Sequence, residues 1–196
     1  MGVRTARLED VEAVTSTQIR AWKFVYRDFM PLGPLEQMTG PAAEKLWRRQ
    51  WDEAITTPPT PRHRVLVAVE QVIPESESSP AEEDERPGPP DSDRVVGLAS
   101  HGPAEDPDVN PSTTAELLTL LVDPNHTRRG HGSRLLNATV DHLRDDGFST
   151  VVTWVFADNH AMLAFLESAG WGEDGADRVL DMGRPIRMVR LRTEIG

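Results

Sequence analysis

VDPNHTRRGHGSRLL, residues 122–136, is the stretch that decides the fold, because it joins an apolar strand to an amphipathic helix through a loop rich in arginine and glycine. The strand is the near-continuous apolar run AELLTLLV at 115–122, a pattern typical of a central strand buried on both faces. The helix is predicted over 133–146, where leucine and valine recur at helical spacing and Gly147 is placed to end it. Together they predict a strand–loop–helix unit at the centre of the molecule.

The loop between this strand and this helix has the composition of an anion-binding site. A helix start offers N–H groups without intrahelical partners and the positive end of the helix dipole. Gly130 and Gly132 let the backbone approach a bulky anion, and Arg128 and Arg129 add charge-assisted contacts to phosphate. The glycine pair alone is a weak signal, because an ordinary loop with a solvated arginine pair has the same composition. The loop therefore predicts a phosphate cradle, with the ordinary loop as the alternative.

Strands and helices alternate on both sides of this unit, which predicts an α/β or α+β domain with a βαβ crossover over 115–156. The other predicted strands lie at 3–7, 64–71, 94–100, 150–156, 178–182 and 186–192. One further helix is predicted to begin after Asp10 as its N-cap, with a break in the pattern at 30–34. Two more helices are predicted at 40–54 and 159–169. Residues 73–93 are acidic and rich in Pro, Ser and Gly, so they predict a flexible loop at the tip of a hairpin, inside a single domain over 1–196. A domain boundary in that segment is the alternative.

The composition restricts the function. The chain has 196 residues, a formal net charge of −11 and no cysteine. The acidic balance argues against nucleic acid or an anionic membrane as partner, and the missing cysteines exclude disulfides and thiolate chemistry. The six histidines show no H-x-x-x-H or H-E-x-x-H spacing, which predicts no metal site. Without an apolar leader or a membrane-length apolar run, the sequence predicts a cytoplasmic protein, and it leaves a homodimer open.

Two motifs in order carry a family resemblance. Residues 122–132 resemble motif A of the GNAT superfamily of N-acetyltransferases, Q/R-x-x-G-x-G/A after a strand that ends in V-x-P. NHAMLAFLESAGW at 159–171 resembles motif B, N-x-x-A-x-x-F-Y-E-x-x-G-F, and WKFVYRDFMP at 22–31 is similar to the first helix region of many members. The resemblance implies a mixed, mostly antiparallel central sheet flanked by helices, with a splayed strand pair that binds acetyl-CoA as co-substrate.

The resemblance also implies the acetyl-CoA site. Backbone groups of β-strand residues would pair with the pantetheine arm, N–H groups of the loop would hold the pyrophosphate, and Asn159 would contact the pantetheine or adenosine side. The alternative for Asn159 is a helix N-cap, and the two roles are compatible. The implied acetyl-CoA residues are Leu120, Leu121, Val122, Thr127, Arg128, Arg129, Gly130, His131, Gly132, Ser133 and Asn159.

Glu116 is the candidate catalytic base. An amine must be neutral to attack a thioester, and a carboxylate in an apolar strand is costly unless it has a purpose or a partner. Burial would raise its pKa towards the range useful for a base, and its position matches the catalytic Glu of histone-type members of the superfamily. The alternative is a Glu at the exposed start of the strand. Trp22 and Tyr26, one helical turn apart, either line the acceptor pocket or belong to the core.

The sequence departs from the family pattern at two positions. Thr127 stands where the family has Gln or Arg, and Leu166 stands where many members have a Tyr that protonates the leaving thiolate. The resemblance implies acetyl transfer to a primary amine by direct attack in a ternary complex. Leu166 favours the alternative of a non-catalytic acyl-CoA-binding regulatory module, and a different phosphate-ligand protein with the same loop is a further alternative.

Overall fold

A computed structural model of the chain describes residues 2–71 and 93–196. The flexible loop predicted at 73–93 lies outside the described residues, except for Asp93, which begins a strand. The strands are β1 Gly2–Thr5, β2 Arg64–Gln71, β3 Asp93–Pro103, β4 Thr114–Val122, β5 Thr150–Phe156, β6 Gly172–Asp181 and β7 Pro185–Glu194. The helices are α1 Val11–Tyr26, α2 Leu32–Thr39, α3 Pro41–Thr56, α4 His131–Asp145 and α5 His160–Ser168.

The strands form one seven-stranded sheet in the order β1-β2-β3-β4-β5-β7-β6. Neighbouring strands run antiparallel except β4 and β5, which are parallel and joined by α4. The predicted mixed, mostly antiparallel fold, the βαβ unit and the β2–β3 hairpin are therefore confirmed. Gly147 ends α4 with a φ of 81°, a left-handed value that glycine adopts without strain.

The parallel pair is splayed. β4 and β5 are paired only from Thr114 to Glu116, at Thr150 to Val152 of the partner strand, although both strands continue beyond this point. The β3–β4 register also shifts between Ser100 and His101, so that Leu118 is an extra residue in a β-bulge. The prediction that β4 is buried on both faces is thus wrong in part, because the splay and the bulge leave Leu118 53% exposed.

The two faces of the sheet carry separate cores. In β2, Leu66 and Ala68 pack with α4 and α5, while Val65 and Val67 point to the other face and pack with α1 and α3, as the period of two in a strand requires. A third apolar cluster joins Phe29, at the end of α1, to β5 and β7. None of the helices in the described ranges is both long enough and apolar enough to cross a membrane.

Two local predictions near the N-terminus hold only in part, since α1 ends at Tyr26, before the predicted break, and Asp10 occupies the N-cap position of α1. Helix α2 occupies the region of the predicted break, because Pro31 precedes it and Pro34 lies in its first turn, where a missing N–H breaks no helical bond. Asp10 does not cap α1 with its side chain, since its carboxylate accepts two hydrogen bonds from the Arg4 guanidinium at 2.6 and 2.9 Å and one from the N–H of Arg7.

Candidate active site

The glycine-rich loop opens directly onto the first turn of α4. Gly130 precedes the helix with a φ of 80°, in the left-handed region, and Arg128 has a φ of 60°. The first helical hydrogen bond is donated by Arg134 to the carbonyl of Gly130, at 3.0 Å. The N–H groups of the three residues at 131–133 come before it and lack an intrahelical partner. This loop can therefore hold an anion against three backbone donors.

Two carboxylates hold the loop in place from outside. The Glu70 carboxylate accepts hydrogen bonds from Nε2 of His131 at 2.8 Å and from Nδ1 of His126 at 3.2 Å. Asp123, which is buried, accepts from Nε of Arg20 at 2.8 Å. The hydrogen bond from His131 lowers the pKa of Glu70 below its usual range. The His131 ring therefore faces strand β2, and only its backbone belongs to the anion site.

A cleft of about 540 Å3 runs from this loop along β4. A second cavity shares Leu120, Leu121, Asn159 and Met162 with it, so the two form one channel that reaches Glu116. All the predicted acetyl-CoA residues line the cleft except Arg129. The guanidinium of Arg129 instead lies 3.5 Å from the carboxylate of Glu70, on the outside of the loop.

Glu116 lies at the end of the channel, where β4 and β5 begin to separate. Its carboxylate makes no hydrogen bond to any residue in the described ranges. Burial, assisted by the nearby charge of Asp106 and opposed by Arg178, raises its pKa to about 7. A carboxyl group with this pKa is divided between acid and base at neutral pH, which suits it to remove a proton from an amine.

The surroundings of Glu116 contain a charge cluster that the sequence did not indicate. Arg190 on β7 is buried and pairs with Asp106 at 3.1 Å, Asp108 at 2.6 Å and Asp174 at 2.7 Å. Nε1 of Trp154 also donates to Asp106, at 2.9 Å. The cluster fixes the loop between β3 and β4 beside Glu116. Its sequence signal is an arginine within the buried run Met188–Leu191 of β7.

Trp22 and Tyr26 on α1 pack against other aromatic rings and also line a cavity. Trp22 stacks on Tyr26 with ring centroids 6.1 Å apart, and Tyr26 packs edge-on against Phe156 at 5.2 Å. Both residues line the cavity of Glu116. Burial raises the pKa of Tyr26 to about 12, so its hydroxyl is protonated at any neutral pH. Leu166, the residue in place of the family's Tyr, is buried and lines the same cavity.

Asn159 is both a helix cap and part of the channel wall. Its side-chain oxygen accepts from the N–H of Met162 at 3.3 Å, which caps α5, and the residue lines both halves of the channel. In the part of the chain that the structure describes, no group of three or more His, Cys, Asp or Glu residues is arranged to hold a metal ion.

The sheet order, the splayed parallel pair and the open helix start define the class of the protein: it has the fold of the GNAT superfamily. The chain belongs to the acetyltransferase (GNAT) family, whose model matches residues 41–171. The [ribosomal protein bS18]-alanine N-acetyltransferase of Escherichia coli (strain K12) is 34% identical over 85 residues, which cover 38% of this chain and 57% of that relative. The match thus spans little more than half of the relative's length.

Two solved structures have the same fold over nearly their whole length. The PaiA N-acetyltransferase of Thermoplasma acidophilum, in complex with coenzyme A, has a TM-score of 0.64 and 16% identity, and the match covers 98% of this chain and 97% of that one. YncA of Salmonella typhimurium, with acetyl-CoA, has a TM-score of 0.64 and 19% identity over 100% of this chain and 94% of that one. At these identities the likeness extends to the fold alone.

Proposed function

We propose that this chain is an N-acetyltransferase that moves the acetyl group of acetyl-CoA to a primary amine, by direct attack within a ternary complex. The observation that carries the proposal is the channel itself, with free helix N–H groups at one end and an unpaired carboxyl group of raised pKa, Glu116, at the other. The bound coenzyme A and acetyl-CoA of the PaiA and YncA structures support the choice of donor.

Acetyl-CoA would lie along the whole channel. The N–H groups at 131–133 would hold the pyrophosphate, with Thr127 and Arg128 beside it. Beyond Glu116, the edge of β4 that faces β5 has no strand partner, and the carbonyl of Leu117 accepts from Oγ1 of Thr153 at 2.8 Å. The peptide groups after Leu117 would pair with the amides of the pantetheine arm. Asn159 and Leu120 to Val122 would line this arm, and the thioester would come to rest near Glu116.

The reaction requires two proton transfers. The amine nitrogen attacks the thioester carbonyl and gives its proton to Glu116, and the C–S bond then breaks to release the CoA thiolate. Leu166 cannot protonate this thiolate. Tyr26 lines the same cavity and carries the only phenolic hydroxyl of the chain. Its pKa of about 12 keeps it protonated at neutral pH and makes it a weaker acid than a free phenol. We assign it the role of the acid, in addition to its role as a wall of the acceptor pocket with Trp22.

The name of one relative supports acetyl transfer to an amine over the alternatives. The bS18-alanine N-acetyltransferase is named for an amine acceptor on a protein, which supports an amine nucleophile here. A non-catalytic acyl-CoA-binding module rests only on Leu166, and the presence of Tyr26 in the cavity weakens that reading. A single domain over 1–196 and a cytoplasmic location belong to the same proposal, which leaves a homodimer open.

The test combines binding with turnover. Calorimetry should detect acetyl-CoA binding, and a thiol reagent should detect CoA release that depends on an added amine. Absence of acetyl-CoA binding would overturn the assignment of the channel. Binding without thiol release, across amino-acid amides, alkylamines, polyamines and peptides, would instead identify a binding module.

A further inference from the structure

A third cavity, of about 420 Å3, lies on the α1/α3 face of the sheet, outside the acetyl-CoA channel. Trp22, Trp47 and Trp51 form much of its wall. Trp22, Leu118 and Thr119 line this cavity and also that of Glu116, so the two spaces adjoin at the β-bulge of β4. We call it the tryptophan cavity.

Gln18 places an unused hydrogen-bond donor in the wall of the tryptophan cavity. Its side chain is 1% exposed, and its Oε1 accepts from Nε1 of Trp51 at 2.9 Å. Because an indole N–H can only donate, this contact fixes the orientation of the amide. Its Nε2 is therefore the free atom, and it has no hydrogen-bond partner in the described ranges. Buried donors are nearly always paired, so this one, like the two unpaired ring nitrogens of His101 in the same wall, would be satisfied by a polar group that enters the cavity.

The wall also carries polar side chains, among them His63, Arg64, Ser100 and His101, but most of its exposed surface is apolar and the tryptophan rings are held in place. Trp47 donates its Nε1 hydrogen to the carbonyl of Met38 at 2.9 Å and packs edge-on against Trp22, with ring centroids 5.1 Å apart. With the indole nitrogens of Trp47 and Trp51 already bonded, these side chains offer only ring surface to a ligand. Such surfaces favour a planar apolar group. A six-membered ring needs on the order of 150 Å3, well below the volume of this cavity.

The position of the cavity connects it to the acceptor. Leu118 follows Glu116 by two residues in β4, a distance of about 7 Å along a strand. A ligand with its amine at Glu116 therefore reaches the cavity with a short linker. We propose that the tryptophan cavity binds the aromatic ring of the acceptor, and that Gln18 donates to a carbonyl oxygen of the same molecule. The acceptor class is thus an aromatic amine with a neighbouring carboxamide, such as an aromatic amino-acid amide. This inference rests on the proposed acetyl transfer.

The test compares three acceptors and three variants. Phenylalaninamide has the amine, the ring and the carboxamide, glycinamide lacks the ring, and phenethylamine lacks the carboxamide. Wild type should prefer phenylalaninamide to glycinamide at least tenfold in kcat/KM. Ala54→Phe fills the cavity from α3 and should reduce this preference to near unity, whereas Ala42→Phe, at an exposed position of the same helix, should leave it intact. Gln18→Met keeps the side-chain length, removes the donor together with the oxygen that accepts from Trp51, and should abolish the preference for phenylalaninamide over phenethylamine.

The outcomes separate this inference from the proposed function. Wild type that acetylates amines without preference for a ring, or Ala54→Phe with an unchanged preference, would overturn the inference and leave acetyl transfer standing. If no amine is acetylated, acetyl transfer fails and calorimetry of phenylalaninamide with the protein–CoA complex decides the site. If phenylalaninamide binds to wild type and to Ala42→Phe but not to Ala54→Phe, the cavity is supported. If it binds equally to all three proteins, or to none of them, the inference is contradicted. Acetyl-CoA affinity within twofold of wild type shows that each variant is folded.

Discussion

The carboxylates at the two ends of β4 differ in their pairing and in their pKa. At the Val122 end, each carboxylate beside the glycine-rich loop is paired, Asp123 with Arg20 and Glu70 with His131, and the pKa of each carboxyl group is lowered. At the other end, Glu116 has no partner and its pKa is raised to about 7. One strand thus joins a loop with paired carboxylates to an unpaired carboxyl group, which is the arrangement that the proposed binding and proton transfer require. Pairing fixes a loop in position, while burial without pairing keeps a carboxyl group able to exchange a proton at neutral pH.

The contrast is sharpest around Glu116 itself. Its acidic neighbour Asp106 is held by Arg190, and Arg190 is also paired with Asp108 and Asp174. Arg178 is the cation that opposes the effect of burial most. Arg190 therefore does little to stabilise the ionised form of Glu116, and burial determines its pKa. The cluster thus positions the loop beside Glu116 without neutralising its carboxyl group.

Glu116→Gln tests the unpaired end and should have the largest effect. The amide keeps the shape of the side chain but cannot accept a proton, so kcat should fall about 100-fold or more. The wild-type rate should fall as the pH drops below about 7, because Glu116 must be ionised to act, and the variant should lose this acidic limb. The measurement is a pH–rate profile with a saturating amine. A turnover number within a few-fold of wild type at every pH would remove Glu116 from the mechanism.

The same variant has a stability readout that does not depend on catalysis. The pKa of Glu116 is higher in the folded chain, at about 7, than its ordinary value of 4.5, so the folded state loses stability as the pH rises between these values. Glutamine does not titrate. Its Tm should match wild type near pH 4.5 and exceed it by about 3 °C near pH 8. Equal Tm values at pH 8 would mean that Glu116 is solvated rather than buried.

Gly132→Asp tests the binding end. A Cβ at Gly132 meets only ordinary van der Waals neighbours, with Phe165 at 3.6 Å and Val122 at 3.8 Å, so the substitution is compatible with the fold. The added carboxylate would repel the pyrophosphate, and the acetyl-CoA Kd should rise at least tenfold, about 1.4 kcal/mol. Gly132→Ala is the matched control and should change the Kd much less. Unchanged affinity in the Asp variant by calorimetry would exclude this loop as the pyrophosphate site.

Tyr26→Phe tests the assignment of the acid. The ring and its stacking on Trp22 are kept while the hydroxyl is lost. A thiolate is a fair leaving group without protonation, so we expect a loss of about tenfold in kcat, below the usual range for a general acid. Leu166→Tyr in the Tyr26→Phe background should recover activity, since it returns a phenol to the same cavity. A Tyr26→Phe variant with wild-type kcat would show that solvent protonates the thiolate.

The sequence predicted the central elements because their signals are local. The observed bounds of β2 and β5 equal the predicted ones, and α4 and α5 begin within two residues of their predicted starts. The signals are the apolar pattern of each segment and the glycines that end the helices, and both lie close together in the chain. The bulge at Leu118 has no such signal. It results from the register of β3 against β4 and is visible only once the sheet is assembled.

The parts of the site that were missed depend on distant partners. Glu70 lies 61 residues before His131, and Asp108 lies 82 residues before Arg190. Trp51 lies 33 residues after Gln18, with which it shares a hydrogen bond. The residues of the glycine-rich motif could be located from the sequence because the loop and the start of α4 are adjacent in the chain. Ion pairs and cavities between elements carry no local pattern, so the tryptophan cavity and the Arg190 cluster required the folded chain.

The variant with the smallest expected effect is Glu70→Gln, which tests a residue that holds the glycine-rich loop without contacting the ligand. Glu70→Gln keeps one oxygen acceptor for His131 but removes the charge that also attracts His126 and Arg129. The loop should become more mobile, and the acetyl-CoA Kd should rise about threefold to fivefold, within the range of one weakened charged hydrogen bond. Because Glu70 touches neither acceptor nor thioester, kcat at saturating acetyl-CoA should stay at the wild-type value. Glu167→Gln, at an exposed position of α5, is the control and should change neither constant. If Glu70→Gln lowers kcat and leaves the acetyl-CoA Kd unchanged, the comparison of the two ends of β4 is contradicted. The end with the paired carboxylates would then affect the chemical step and not the binding of acetyl-CoA.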